Sequence, residues 1–170
     1  ARVHRIPYLG ICLGMQIAVI EYARNAAGIA GATSGELSPD GSEKIIDFLP
    51  GQSDEKDKGG TLRLGAYPCV ITPGTRMFQC YGQGEIQERH RHRYEFNNDY
   101  RDALSAAGLS FCGLSPDGTL VEAVELTEHP FFLGVQFHPE FKSRPNRPHP
   151  LFRGFVGAAL AGTEKGGVTG

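Results

Sequence analysis

Apolar residues along this chain fall into two nearly uninterrupted runs and several alternating or periodic ones. Residues 6–11 and 131–137 carry little polar interruption, the pattern of strands covered on both faces in a parallel sheet. Residues 13 to about 24 predict a helix. Ile17, Ala18, Val19, Ile20, Tyr22 and Ala23 leave it apolar nearly all round, so it is expected to be largely buried. The glycine- and alanine-rich residues 28–35 end it. Glu36 follows in a loop before the turn signal Ser38-Pro39-Asp40-Gly41.

Residues 45–49 are a short strand candidate, and the charged residues 50–60 read as an exposed, mobile loop. Residues 62–71 read as a strand broken at Gly65 and Pro68, and 73–83 as a turn with a short helix. Residues 85–96 alternate like a strand, which puts Arg89, Arg91 and Arg93 on one face and His90 and His92 on the other. Such a charged strand suits a solvated sheet edge. Residues 99–107 predict a helix with Gly108 just past its end. Residues 110–115 and 120–126 flank Pro116-Asp117-Gly118, a hairpin signal. His149-Pro150 opens a last helix running to about residue 160. The alternation of strand and helix predicts an α/β fold: a doubly wound, mostly parallel central sheet with flanking helices, its site at the strands' C-terminal ends. No repeat divides the chain, so residues 1–162 are expected to form one domain and 163–170 a flexible tail.

Composition narrows the picture. The 170 residues suffice for one domain with a sizeable core. A formal net charge of -2 gives no general attraction to nucleic acid or to an anionic membrane. No apolar run approaches the roughly 20 residues that span a bilayer, and no signal peptide is visible. Cys12, Cys69, Cys80 and Cys112 form no Cys-x-x-Cys pair, which argues against a zinc site and against a disulfide scaffold. A reduced, cytoplasmic setting suits a working thiol.

The chemistry concentrates at two strand ends. Gly10-Ile11-Cys12-Leu13-Gly14 joins the first buried run to the helix and has the form of a nucleophile elbow with cysteine in the serine position. The sharp turn is expected to crowd the backbone at both glycines, and the helix N-terminus to favour a thiolate. The Leu13 N–H, directly after the nucleophile, is positioned to meet a developing oxyanion. Far downstream, His138-Pro139-Glu140 follows the second buried run at once. A strand that delivers His and then Glu into a stiff loop supplies a general base and the carboxylate that orients it. A lone Gly-x-Cys-x-Gly is more often a buried structural cysteine, and a lone His-Pro-Glu an ordinary loop. The two together, in that order and both at strand ends, are specific.

These two segments resemble the class I (triad) glutamine amidotransferases. Longer strings resemble the amidotransferase domain of the CTP synthase family. They are Tyr8-Leu9-Gly10-Ile11-Cys12-Leu13-Gly14-Met15-Gln16, Gly60-Thr61-Leu62-Arg63-Leu64-Gly65, Glu88-Arg89-His90-Arg91-His92-Arg93-Tyr94-Glu95 and Phe137-His138-Pro139-Glu140-Phe141. The likeness runs from about residue 6 to about residue 161.

The resemblance implies a flavodoxin-like sheet and hydrolysis of L-glutamine through a γ-glutamyl thioester on Cys12. His138 would serve as base and then acid, and Glu140 as its orienter. Gln16, Glu36 and Arg93 match the family's glutamine contacts, Glu36 for the ammonium and Arg93 for the carboxylate. On residue type alone, Glu36 is an ordinary loop carboxylate and Gln16 a helix-surface residue. The family places earlier strands and a glycine-rich oxyanion loop before the elbow. Nothing here matches them, so the expectation is an N-terminally incomplete piece of a larger enzyme without its synthetase domain. That domain would bind ATP and Mg and aminate UTP, with GTP as activator and a homo-oligomeric whole; no cofactor is expected in this part. A γ-glutamyl hydrolase or peptidase of the same fold, or a non-catalytic docking and assembly module, are the competing readings.

Overall fold

The computed structural model describes residues 1–48 and 63–166, the last four of these as backbone only. The loop expected at residues 50–60, and Gly60-Thr61-Leu62, lie outside the described residues. The strand run at residues 6–11 forms β1 (Tyr8–Ile11), and α1 (Leu13–Asn25) starts one residue later. Two short strands follow, β2 (Ala32–Ser34) and β3 (Glu43–Asp47). Then come β4 (Arg63–Ile71), α2 (Arg76–Tyr81), β5 (Glu85–His92) and β6 (Glu95–Phe96). A 3-10 turn at Asn98–Tyr100 leads into α3 (Arg101–Ala106). The chain finishes with β7 (Ser110–Leu114), β8 (Val121–Glu125), β9 (Phe132–Val135), a 3-10 turn at Pro139–Lys142 and α4 (Pro150–Gly166).

Local chemistry sets several of these boundaries. Thr75 caps α2 by accepting the Phe78 N–H, and Gly82 closes it in the left-handed conformation at φ 70°. The expected break of β4 at Gly65 and Pro68 does not occur. β4 pairs with β5 along its whole length, Arg63 opposite His92 and Val70 opposite Glu85. α4 continues past residue 160 to Gly166.

Six strands form the main sheet in the order β1-β9-β8-β7-β4-β5, and β2-β3-β6 form a second, smaller sheet. The expectation of a mostly parallel sheet is wrong. Among the described residues of the main sheet, β1 and β9 are parallel and every other neighbouring pair is antiparallel. Connection length is the reason. Residues 115–120 and 126–131 join β7 to β8 and β8 to β9, too short for a crossover that needs a dozen residues or more. Helices do flank both faces. Met15, Val19 and Ile20 of α1 join Leu104, Val121 and Val124 in one core cluster. Met77 of α2 and Leu151 of α4 join Leu133, Val135 and Phe137 in the other.

α1 sits close against the sheet because β9 carries Gly134, where an added Cβ would meet Met15 atoms at 3.0–3.1 Å. That contact fixes the start of α1 beside the ends of β1 and β9. Among the described residues no helix is long and apolar enough to cross a membrane.

Candidate active site

The elbow is strained at Cys12. Cys12 sits at φ 52°, ψ -106°, a left-handed φ that a side chain rarely adopts. Its N–H donates to the Val135 carbonyl at 2.8 Å, and its carbonyl accepts the Gln16 N–H at 3.2 Å. One flanking glycine is required: a Cβ on Gly10 would stand 2.7 Å from the Gly14 carbonyl carbon and oxygen. Gly14 is not crowded, contrary to expectation. A Cβ there meets only the Tyr8 hydroxyl at 3.7 Å, and that hydroxyl donates to the Gly14 carbonyl at 2.7 Å.

The Cys12 thiol is half-buried, and burial pushes its pKa up. The Leu13 N–H and the Gln136 amide favour the thiolate, but Glu36 and Glu140 act with burial against it. The helix start therefore contributes as expected and is outweighed, so the resting group is a thiol that needs a base.

His138 is the residue expected to act as that base, and it is not among the residues that line the Cys12 cavity. Its N–H donates to the Arg89 carbonyl of β5 at 2.8 Å, which fixes the backbone at the end of the β9 run. Its Nδ1 lies 2.6 Å from Glu140 Oε1. A carboxylate accepts only, so Nδ1 carries the hydrogen and Nε2 is left bare. That Nε2 is buried and has no hydrogen-bond partner among the described residues. Pro139 opens the 3-10 turn that carries Glu140 back to the imidazole. Glu140 itself is 45% exposed, so its charge is partly screened by solvent.

Cys12, Leu13, Gln16 and Glu36 line a cavity of about 550 Å³ together with Arg91, His92, Arg93 and Tyr94. A carboxylate and two guanidinium groups thus share one chamber with the Cys12 thiol, suited to a small molecule bearing both charges. Glu36 is anchored through its N–H, which donates to Ser34 Oγ at 3.1 Å.

Gln16 departs from the surface position its sequence context suggests. It is buried, and its Nε2 donates to the Tyr94 carbonyl at 3.3 Å and to Gln136 Oε1 at 3.1 Å. Gln136 is a site residue that sequence reasoning misses. It is fully buried, its Nε2 donates to Cys12 Sγ at 3.6 Å, and its N–H donates to the Glu122 carbonyl at 2.9 Å. A signal for it exists: Gln136 is the one polar side chain in the apolar run 131–137. Arg91, His92 and Tyr94 escape notice as lining residues because the charge pattern of β5 and the turn after it suits a solvated edge.

β5 does lie at the sheet edge, and its residues alternate strictly between exposed and buried. The buried side holds Glu88, His90 and His92. Behind them Arg63 is spent internally, 2.8 Å from Glu122 and 3.4 Å from Glu95. Cys69 and Cys112 are buried, and burial raises the thiol pKa of Cys69 to about 12; Cys80 is half-buried and its thiol pKa is raised by burial as that of Cys12 is, but it does not line this cavity.

Comparison with known proteins agrees with this geometry. Residues 1–158 match the family described as glutamine amidotransferase class-I. A CTP synthase of Carboxydothermus hydrogenoformans is 61% identical over 160 residues, which is 94% of this chain and 30% of that protein. A CTP synthase of Bacillus subtilis is 58% identical over 160 residues, with the same two shares of 94% and 30%. This chain therefore spans about 30% of the length of these curated relatives. Among solved structures, the Trypanosoma brucei CTPS glutaminase domain with bound acivicin superposes with a TM-score of 0.88 at 38% identity, covering 95% of this chain and 62% of that one. A GMP synthase protein from Thermoplasma acidophilum shares the fold at a TM-score of 0.56 and 19% identity, over 96% of this chain and 62% of that one. The chain belongs to the class-I glutamine amidotransferase family.

Proposed function

We propose that this chain is the glutamine-hydrolysing part of a CTP synthase. The observation that carries the reading is that Cys12, Glu36 and Arg93 line one cavity. Free glutamine is a zwitterion, so it needs an anion for its ammonium and a cation for its carboxylate. Glu36 and Arg93 offer both beside the sulfur. Gln16, in the wall of the same cavity, is the remaining expected contact.

The reaction runs in two halves. The bare His138 Nε2 takes the Cys12 proton, and the thiolate attacks the side-chain amide carbon of glutamine. The Leu13 N–H meets the oxyanion that forms. The imidazolium, held by Glu140, returns its proton to the departing nitrogen, which leaves as ammonia and a γ-glutamyl thioester on Cys12. Water then attacks the thioester, His138 takes its proton and hands it to the sulfur, and glutamate leaves. Ammonia would pass to a synthetase domain that aminates UTP with ATP and Mg, activated by GTP, within a homo-oligomeric enzyme of the cytoplasm. The identity of about 60% to CTP synthases supports this second half.

The test is release of glutamate and ammonia from L-glutamine by the chain and by its Cys12→Ala variant. The expected outcome is hydrolysis that Cys12→Ala abolishes. Hydrolysis that survives Cys12→Ala contradicts the reading. Faster cleavage of γ-glutamyl peptides than of free glutamine would favour a peptidase instead.

A further inference from the structure

We propose that Lys142 is a positioning residue for Glu140, because it holds the far end of the turn that carries this carboxylate to the His138 imidazole. The consequence for catalysis rests on the glutaminase reading; the geometry does not.

The Glu140 side chain is not packed into place. It is exposed, and among the described residues it hydrogen-bonds to His138 alone. Its position is therefore set by the backbone of the 3-10 turn Pro139–Lys142. Two bonds close that turn. The Phe141 N–H donates to the His138 carbonyl at 3.2 Å, and the Ser143 N–H donates to the Glu140 carbonyl at 3.3 Å. Both are long for a backbone pair, so anchors outside the turn matter. Arg144 donates to the Phe141 and Ser143 carbonyls, but these bonds stay within the same segment.

Consecutive residues of β5 supply the outside anchors, one at each end of the turn. At the entrance, the His138 N–H donates to the Arg89 carbonyl at 2.8 Å. At the exit, Lys142 Nζ donates to the Gln87 carbonyl at 2.5 Å and to Glu88 Oε1 at 3.2 Å. Glu140 lies between the two anchors.

An exposed lysine pairing with an exposed carboxylate would contribute little. Glu88, however, is fully buried. Its Oε1 also accepts from the Tyr81 hydroxyl of α2 at 3.1 Å and lies 3.0 Å from His149 Nε2, just before α4. The Leu151 N–H donates to His149 Nδ1 at 3.3 Å, so Nε2 carries the hydrogen and donates to Glu88. The carboxylate is thus a fixed point, tied to two helices, and a buried charge resists the loss of its cation. Lys142 is drawn to that point, and Glu140, two residues earlier in the same turn, is held with it.

The experiment is a double-mutant cycle on glutamine hydrolysis with Lys142→Met, Glu140→Ala and the two combined. Lys142→Met keeps the aliphatic stem and removes the donors. Alone, it should lower kcat roughly three- to tenfold with KM nearly unchanged. In the Glu140→Ala background the same change should alter kcat by less than about twofold, because the group it positions is gone. Lys142→Arg, which can reach both acceptors, should keep most of the wild-type kcat. The proposal is overturned by an unchanged kcat in Lys142→Met, by a rise in KM in its place, by an equal loss in Lys142→Arg, or by an equal loss in both backgrounds. Long-range 15N spectra of the imidazoles, at about pH 8 and so above the ordinary imidazole value, need no substrate. The share of His138 with its hydrogen on Nδ1 should fall in Lys142→Met and recover in Lys142→Arg, and a share unchanged in Lys142→Met overturns the proposal. Spectra that behave as expected in a chain that hydrolyses no glutamine support the positioning role and count against the glutaminase reading alone.

Discussion

His138 Nδ1 lies 2.6 Å from Glu140 Oε1, while the other nitrogen of the ring is buried without a hydrogen-bond partner among the described residues. The pairing assigns the hydrogen to Nδ1 and leaves Nε2 bare, as the proposed base requires. Glu140→Gln keeps an acceptor near Nδ1 but removes the charge that stabilises the imidazolium. Because Glu140 is exposed, screening limits the loss. The variant should lower kcat by roughly 10- to 100-fold with KM nearly unchanged. Steady-state kinetics on glutamine check this, and an unchanged kcat removes Glu140 from the mechanism.

The left-handed backbone at Cys12 predicts a conflict between activity and stability. A residue held at such an angle carries strain of order 1 kcal/mol or more, which glycine escapes. Cys12→Gly and Cys12→Ala should both be inactive. Cys12→Gly should be the more stable of the two, by about 1 kcal/mol in urea unfolding. Equal stability would mean that the elbow is not strained.

Substrate recognition should separate from folding. Glu36 and Arg93 are exposed at the cavity mouth. Glu36→Gln and Arg93→Met should each raise KM for glutamine by roughly 10- to 100-fold, the effect of one charge-assisted hydrogen bond. Melting temperatures should stay within a few degrees of wild type. A fall in kcat at constant KM would assign these residues a different role.

The buried charges behind the site give stability a specific pH dependence. Burial, with Glu122 beside it, pushes the Glu95 carboxyl up to about 8 against the pull of Arg63. The folded chain thus keeps a proton that the unfolded chain releases above its ordinary carboxyl value. Glu95 therefore lowers stability as pH rises from about 4.5 through 8. His90 and His92 act in the opposite sense. Burial holds them near 2 and 3, so the unfolded chain takes up protons below about 6.5 that the folded chain refuses, and stability falls as pH drops. The contributions offset each other between about 4.5 and 6.5. Between about pH 6.5 and 8 the Glu95 effect stands alone of the three. Unfolding free energies from urea titrations should decline across that interval by at most about 2 kcal/mol, and Glu95→Gln should flatten the decline. A decline that persists in Glu95→Gln contradicts the assignment.

The parts of the site that are legible in sequence are those written in short contiguous stretches. Cys12 at the end of one buried run, and His138 and Glu140 at the end of another, announce strand-to-loop chemistry without any knowledge of the partners. The direction of the strands is not written that way. Apolar runs look alike in parallel and antiparallel sheets, and only the short connections at residues 115–120 and 126–131 reveal the antiparallel arrangement. Gln16 looks like a surface residue because what buries it lies 78 and 120 residues away, at Tyr94 and Gln136. The two elbow glycines look equivalent in sequence. Only the backbone shows that Gly10 meets the Gly14 carbonyl whereas Gly14 faces open space up to the Tyr8 hydroxyl. The state of the Cys12 thiol is also illegible, because it depends on burial and on Glu36 and Glu140 rather than on the helix start alone.

The most direct test of the central claim is covalent labelling of the chain with a glutamine-mimicking electrophile, with and without excess L-glutamine, read by intact mass and peptide mapping. The expected result is a single adduct on Cys12 that glutamine suppresses. Cys69 and Cys112 should stay unmodified because they are buried and their thiols are pushed up by that burial. No adduct, or labelling spread over Cys69, Cys80 and Cys112 and indifferent to glutamine, would contradict a glutamine site at Cys12.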